Sequence, residues 1–547
     1  MSGGVAATEL AGLDERSDQA TLLNVIERLV ARVHSLEEAL GRALDENNRL
    51  KGEQGRPTVR KKKRQRVDQS SERERREPPK EWHKSAKLPE IVIDRVVECT
   101  LDPATLPADA KLKDHVEVTV QDLVLRTDNV RFRCERWAAA GTGKTYQAPL
   151  PPGYEGEFGP GLKALALTLA YDGNMGQAAI RKLFTSVGVL ASKGYLASVL
   201  TNTAGFAAEA QALGTAGLAC DGYAHLDVTP TKVAGVEHEC HVLGNTAFVY
   251  YHTDLFRDRQ AALRTLQLGA ENTFQVNDAA WLFLALGAPL AARTRLALET
   301  VPADWLLTKE EWYGWLDAKL PALGPQQRQR LSDAAAVGAY HAQTAVPVVD
   351  TLVCDDAPTF KGLTEDLQLC WVHEGRHYKK LTPVIPRHRT LLDTFLGEFW
   401  TYYRRLRAYQ QAPTAPLAAA LATDFATLFG RQTGYADLHD RLALTRAKRQ
   451  ALLRVLEKPF LPLTNNPAEL AARRRVRKRD VSFGARSPAG IRAWDVFHTL
   501  IGTASLLGVN VLHYFRDRCS RARAIPALAD LIRQRPEQAA AVYLAAA

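Results

Sequence analysis

An α/β core with large helical insertions, preceded by a coiled coil and a small β-rich plus helical region, is the fold class that the sequence predicts. Three observations carry it. Runs with strand character occur at Tyr223 to Thr229, His238 to Leu243, Ala247 to His252 and Val348 to Cys354. Blocks of helical pattern, about 257–345 and 378–460, follow and interrupt them. Ahead of both lies an uninterrupted heptad seam.

The seam comes first in the chain. Leu22, Ile26, Leu29, Val33, Leu36, Leu40, Ala43, Asn47 and Leu50 alternate four and three apart, the spacing of a left-handed coiled coil over 18–51. Branched Ile26 and Val33 at one seam position, with Leu29, Leu36 and Leu50 at the other, favour a parallel homodimer, and a buried Asn47 would help to fix register. An amphipathic helix packed on its own globule is the alternative. A basic linker follows over 52–88. Between Arg56 and Lys87, 13 Lys and Arg face 5 acids, and Lys61, Lys62, Lys63 and Arg64 form its centre. Such a run binds phosphates by counterion release or serves as a solvated tether, and by itself the sequence favours neither.

Period-two alternation at His115–Val120 and Val130–Cys134 predicts strands in a small β-rich module, 89–150. A helical region over 155–210 contains the pair Gln177–Val187 and Ala191–Asn202, which has helix-turn-helix spacing, though most such pairs bind no DNA. The core is expected at 220–482 and a helical C-terminal region at 483–547.

Composition excludes several classes. The 547 residues are 46% hydrophobic and 24% charged, which excludes a wholly disordered chain. Seven scattered cysteines argue against a secreted disulfide framework, and no apolar run approaches the roughly 20 residues of a membrane span. A cytoplasmic, nucleoid-associated protein is expected. Formal net charge is +10, and Arg473 to Arg479 places six cations in seven residues just after an apparent helix start. A nucleic-acid partner is the expectation for two such clusters.

Three acids stand out by context. Asp227 interrupts an apolar strand, Asp355 ends one, and Glu469 opens a helix after Asn465-Asn466-Pro467. Carboxylates from neighbouring strand ends and one helix suit hard divalent cations, and two Mg²⁺ (or Mn²⁺) ions about 3.5–4 Å apart would serve phosphoryl transfer. Duller readings exist: a turn former at Asp355 or Asp356, and a capping box from Asn466 to Glu469. Asp227 is least easily dismissed, because an unpaired acid in a buried strand is costly.

Taken together, Asp227-Val228-Thr229, Leu352-Val353-Cys354-Asp355, Cys370-Trp371-Val372-His373-Glu374-Gly375-Arg376 and Thr464-Asn465-Asn466-Pro467-Ala468-Glu469 resemble the insertion sequence sixty-six family of bacterial transposases. The resemblance implies a ribonuclease-H-like core with Asp227, Asp355 and Glu469 as catalytic, metal-binding residues, Asp356 being the rival for second place. It implies nicking at element ends and attack of the freed 3′ hydroxyl on target DNA. Arg473, Arg477 and Lys478, with Lys61 to Arg64, are the expected DNA contacts, and Asn465, Asn466, His373 and Arg376 the supporting residues. Double-stranded DNA and small accessory proteins are the expected partners. Two departures stand out: the usual four-cysteine module is reduced to Cys99 and Cys134, so structural zinc is not expected, and 128 residues separate Asp227 from Asp355. A Cys370–His373 zinc site lacks the four-ligand spacing. A catalytically silent DNA-binding regulator and a nuclease without strand transfer are the alternatives.

Overall fold

The structure, a computed structural model, describes residues 18–50, 91–102, 105–107 and 109–535. Lys61, Lys62, Lys63 and Arg64 lie outside them.

The heptad region forms one helix, α1 (Gln19–Leu50). Leu22, Ile26, Val33, Leu36 and Leu40 on its seam are exposed. A different set of side chains docks the first half of α1 onto the chain's own globule. Glu27 is buried, where it accepts hydrogen bonds from the backbone N–H groups of Val384 and Ile385 and lies 3.3 Å from His388 Nδ1. Asn24 bridges the Gly434 carbonyl and the Ala436 N–H.

The β-rich module is smaller than expected. The described residues from 109 to 134 belong to no helix or strand, and only the ribbon β1 (Arg136–Ala139) and β2 (Lys144–Gln147) pairs. Alternation alone cannot make a strand, because an unpartnered edge leaves its N–H and C=O groups to water. Val116, Val118 and Val120 accordingly meet no core and are exposed. Four helices follow, α2 (Pro160–Leu167), α3 (Gln177–Ser186), α4 (Lys193–Thr201) and α5 (Phe206–Leu218), with a π-helical turn at Thr168–Asp172 after the first. The pair expected at 177–202 is thus α3 and α4, and Ser192 caps α4 by accepting from Tyr195 N.

The core is a five-stranded mixed sheet: β3 (Tyr223–Val233), β4 (Val236–Gly244), β5 (Val249–Asp254), β6 (Thr351–Cys354) and β7 (Asp366–Leu369), in the order β5-β4-β3-β6-β7. β3, β4 and β5 are antiparallel, joined first by the two-residue turn Ala234-Gly235, both at positive φ, as tight hairpins require. β6 and β7 run parallel to β3, so each is reached by a crossover. In the chain between the two Asp positions, β4 and β5 are followed by α6 (Arg259–Leu266), α7 (Asp278–Ala285), α8 (Ala292–Glu299), α9 (Lys309–Lys319) and α10 (Pro325–Ala342). After β7 come α11 (Trp371–Lys379) and a second insertion of α12 (Pro386–Gln411), α13 (Ala415–Gly430), α14 (Ala436–Ala447) and the short α15 (Arg449–Leu452). α16 (Asn466–Ser482), α17 (Pro488–Leu506), α18 (Val511–Ser520) and α19 (Leu528–Gln534) complete the fold.

One sheet face carries Ala224, Leu226, Leu243 and Leu352 into the main core. The opposite face receives α16: Cys240, Val242 and Tyr251 pack with Ala472, while Tyr223 and Val353 pack with Leu461. The end of α16 is fixed to the β3–β4 hairpin. Ala485 N donates to Lys232 O and Ala234 N to Ala485 O, both within 2.9 Å. Gly484, at φ +108, allows that approach, since a Cβ there would lie 2.6 Å from the Lys232 carbonyl. Among the described residues no helix is long and apolar enough to cross a membrane.

Candidate active site

Sheet register sets the two aspartates. His225 pairs with Val353 across β3 and β6. The pairing ends there; carried two residues further at period two, it would put Asp355 on the face that bears Asp227, and the Asp355 charge does act on Asp227. Asp356 belongs to the other parity and is held by Lys448 Nζ at 2.8 Å. Asp355, rather than its neighbour, therefore has the strand parity of Asp227. Asp227 Oδ1 accepts from Val228 N at 2.9 Å, and Asp355 Oδ1 from Ala357 N at 3.1 Å.

Glu469 arrives from the first turn of α16, whose start is fixed by Asn465. That side chain is fully buried: its Nδ2 donates to Leu226 O and its Oδ1 lies 3.0 Å from His225 Nδ1, while its backbone N–H donates to Cys370 Sγ. No side chain caps the helix, so the capping-box alternative does not hold. Asn465 instead ties α16 to β3 one residue from Asp227.

Burial raises the Asp227 carboxyl to about 6, helped by the negative charges of Asp355 and Glu469. Three carboxylates thus repel one another around one region, the condition that a divalent cation relieves. Glu469 has local partners as well. Its Oε2 accepts from Arg376 Nη2 at 3.1 Å, and its Oε1 lies 3.7 Å from His373 Nδ1 without a hydrogen bond. Arg376 Nη1 is 3.1 Å from His373 Nε2. An arginine only donates, so Nε2 accepts and Nδ1 carries the ring proton toward Glu469. His373 and Arg376 thus both lie beside Glu469.

Among the described residues, two sets have ligand atoms all within 4.8 Å of one another: Cys370–His373–Glu469 and Asp356–Glu374–His377. In the first, burial pushes the Cys370 thiol up to about 11, and its sulfur already accepts from Asn465. In the second, Lys448 and Arg441 pair with Glu374. Asp227, Asp355 and Glu469 are not among these sets: they lie near enough for their charges to act on one another, and Glu469 is engaged by Arg376.

The basic stretch divides. Arg473 and Arg477 are exposed, one and two turns beyond Glu469. Lys478, expected on the DNA face, is a correction: it is buried, donates to Ala170 O in the π-helical turn and sits 5.1 Å from the Tyr171 ring. Arg475, in the same run, is fully buried and paired with Asp495. Sequence reasoning also missed His225 and the buried Glu374 with its three partners. A lone strand histidine has no spacing signal, and Glu374 finds Arg441, Thr445 and Lys448 only after the insertion folds back.

Residues 336–493 match a family model described as Transposase IS66 family. A relative from Sinorhizobium fredii, the uncharacterized protein y4jO, is 37% identical over 182 residues, which is 33% of this chain. The match spans 56% of that relative's length. No solved structure matches. Asp355, the Cys370 to Arg376 block and Glu469 fall within the matched residues, and Asp227 precedes them. Residues 336–493 are thus similar to the IS66 transposase family that the chain's motifs resemble.

Proposed function

We propose that this chain is a DNA transposase that nicks the ends of its element and joins each freed 3′ hydroxyl to target DNA. The observation that supports the reading is that burial raises Asp227, with Asp355 and Glu469 near enough for their negative charges to add to the shift. The strand order β5-β4-β3-β6-β7, antiparallel then parallel, supports a ribonuclease-H-like core.

The three acids would hold Mg²⁺ or Mn²⁺, two ions by preference, which supply polarisation of the phosphate and stabilisation of the leaving oxygen. The chain's own residues do the positioning. Asn465 sets the angle at which Glu469 enters, and Arg376 holds that carboxylate until a cation competes for it. Water first breaks a phosphodiester bond to leave a 3′ hydroxyl; that hydroxyl then attacks a target phosphate, forming one P–O bond as another breaks. Arg473 and Arg477 face the solvent from which DNA arrives. The exposed seam of α1 would pair two copies, and accessory proteins of the same element remain expected partners.

The test is Mg²⁺- or Mn²⁺-dependent cutting of a labelled duplex carrying the element's terminal repeats. Asp227→Asn is expected to reduce cutting by roughly a thousandfold or more, as loss of an electrostatic stabiliser does. Undiminished cutting by that variant would overturn the acidic site. A pre-nicked end, joined to target by the wild type, separates a transposase from a nuclease.

A further inference from the structure

Behind the acidic site, on the same face of β3, lies a cavity of about 390 Å³. Its wall includes Tyr223, His225, Phe460, Asn466 and Arg407. His225 is two residues from Asp227, or about 7 Å along a strand.

The His225 tautomer follows from its neighbour. Asn465 Nδ2 donates to Leu226 O, so Asn465 Oδ1 must be the acceptor facing His225 Nδ1. In the neutral ring the one proton therefore sits on Nδ1. Nε2 is therefore a bare acceptor. It has no hydrogen-bond partner, and the ring carrying it is fully buried in the cavity wall. A buried polar atom left unpaired costs free energy that a ligand N–H would recover. Phe460 supplies a second signal, since it lines the same cavity yet is 44% exposed. Its ring lies 6.3 Å from that of Tyr223, tilted by 40°. Arg407 also borders an adjoining hollow with Arg404, which adds positive charge at the mouth.

We propose that this cavity takes one unpaired nucleobase of the DNA strand whose backbone crosses the acids. The base would stack on Phe460, offer an amino or ring N–H to His225 Nε2, and leave its phosphate toward Arg407. Aromatic faces with a cation beside them suit single-stranded DNA. The inference rests on the transposase reading and deepens it by naming a part of the substrate.

The full-length protein is titrated, in chelator to prevent cutting, with three fluorescein-labelled DNAs read by anisotropy: a blunt duplex, that duplex with an unpaired 3′ tail, and the tailed duplex with abasic sugars in the tail. Wild type should prefer the base-carrying tail. Phe460→Ala should weaken that complex alone by about tenfold, the scale of one base–aromatic stack, and Phe460→Tyr should retain it. Equal loss on all three DNAs, no loss, or indifference of the wild type to the tail's bases would overturn the proposal. Binding to the duplex without base dependence leaves the transposase reading intact, whereas no binding to any of the three overturns both.

Discussion

Helix α16 carries inward-facing charge in both halves, and the two halves treat it in opposite ways. At its first turn Glu469 has one arginine, one histidine contact without a hydrogen bond, and two acids nearby. In its second half Arg475 has a committed partner. Its guanidinium pairs with Asp495, which also accepts from Thr253 N and Oγ1, and it lies 5.5 Å from the Tyr251 ring and 5.4 Å from that of Trp494. One end is poised for exchange and the other is locked. Chemistry at the first end depends on that lock, because the sheet face and α16 must hold still while ligands change around Glu469.

Removing the lock should give the largest effect. Arg475→Ala leaves Asp495 without its cation in a buried setting and is expected to cost about 3–5 kcal/mol in urea unfolding. Glu469→Gln should cost under about 1 kcal/mol while abolishing cutting, since its ion pair is partly solvated. If both variants lose equal stability, the contrast between the two ends fails.

Two pH profiles of ion-free protein sharpen it. Asp227 is raised from 3.8 to about 6, so the folded state holds its proton more tightly than the unfolded chain. The contribution to stability is present below about pH 3.8 and is lost as pH rises through 6, a swing of about 3 kcal/mol. Asp227→Asn should therefore unfold at higher urea than wild type at pH 7.5, while its cutting is expected to fall. Lys478 behaves with the other sign. Burial pulls it from 10.5 to about 8, so the unfolded chain binds its proton more tightly, and stability should rise between pH 8 and 10.5. Lys478→Met should flatten that rise. A wild-type profile falling over the same interval would mean that Lys478 is not a buried cation.

The signals that single out the three acids are local: an acid in an apolar strand, an acid at a strand end, and an acid after Asn-Asn-Pro. Strand parity and the Lys448 ion pair on Asp356 then favour Asp355 over Asp356. The basic run was read as displayed charge by counting, yet its own periodicity held the correction. Ala468, Ala472, Arg475 and Lys478 recur at steps of four and three, which is the buried stripe of a helix. Strand β7 escaped notice because Asp366–Leu369 is four residues long, with a polar Gln368 that is satisfied only by Leu369, Leu452 and Val455. The alternating valines of 115–134 misled in the other direction, since a strand needs a partner that no local pattern provides.

The smallest predicted effect bears most directly on how the open end works. Arg376 neutralises Glu469 where a cation would bind, so ion and guanidinium compete for one carboxylate. Arg376→Ala should tighten Mn²⁺ binding by roughly three- to tenfold in calorimetric titration, about one decade per 1.4 kcal/mol of interaction removed. Its cutting should nonetheless fall, because a carboxylate without its guide samples more rotamers before the ion arrives. Weaker Mn²⁺ binding would assign the opposite role: Arg376 would then orient Glu469 for the ion instead of competing with it, and the first turn of α16 would be as fixed as its second half.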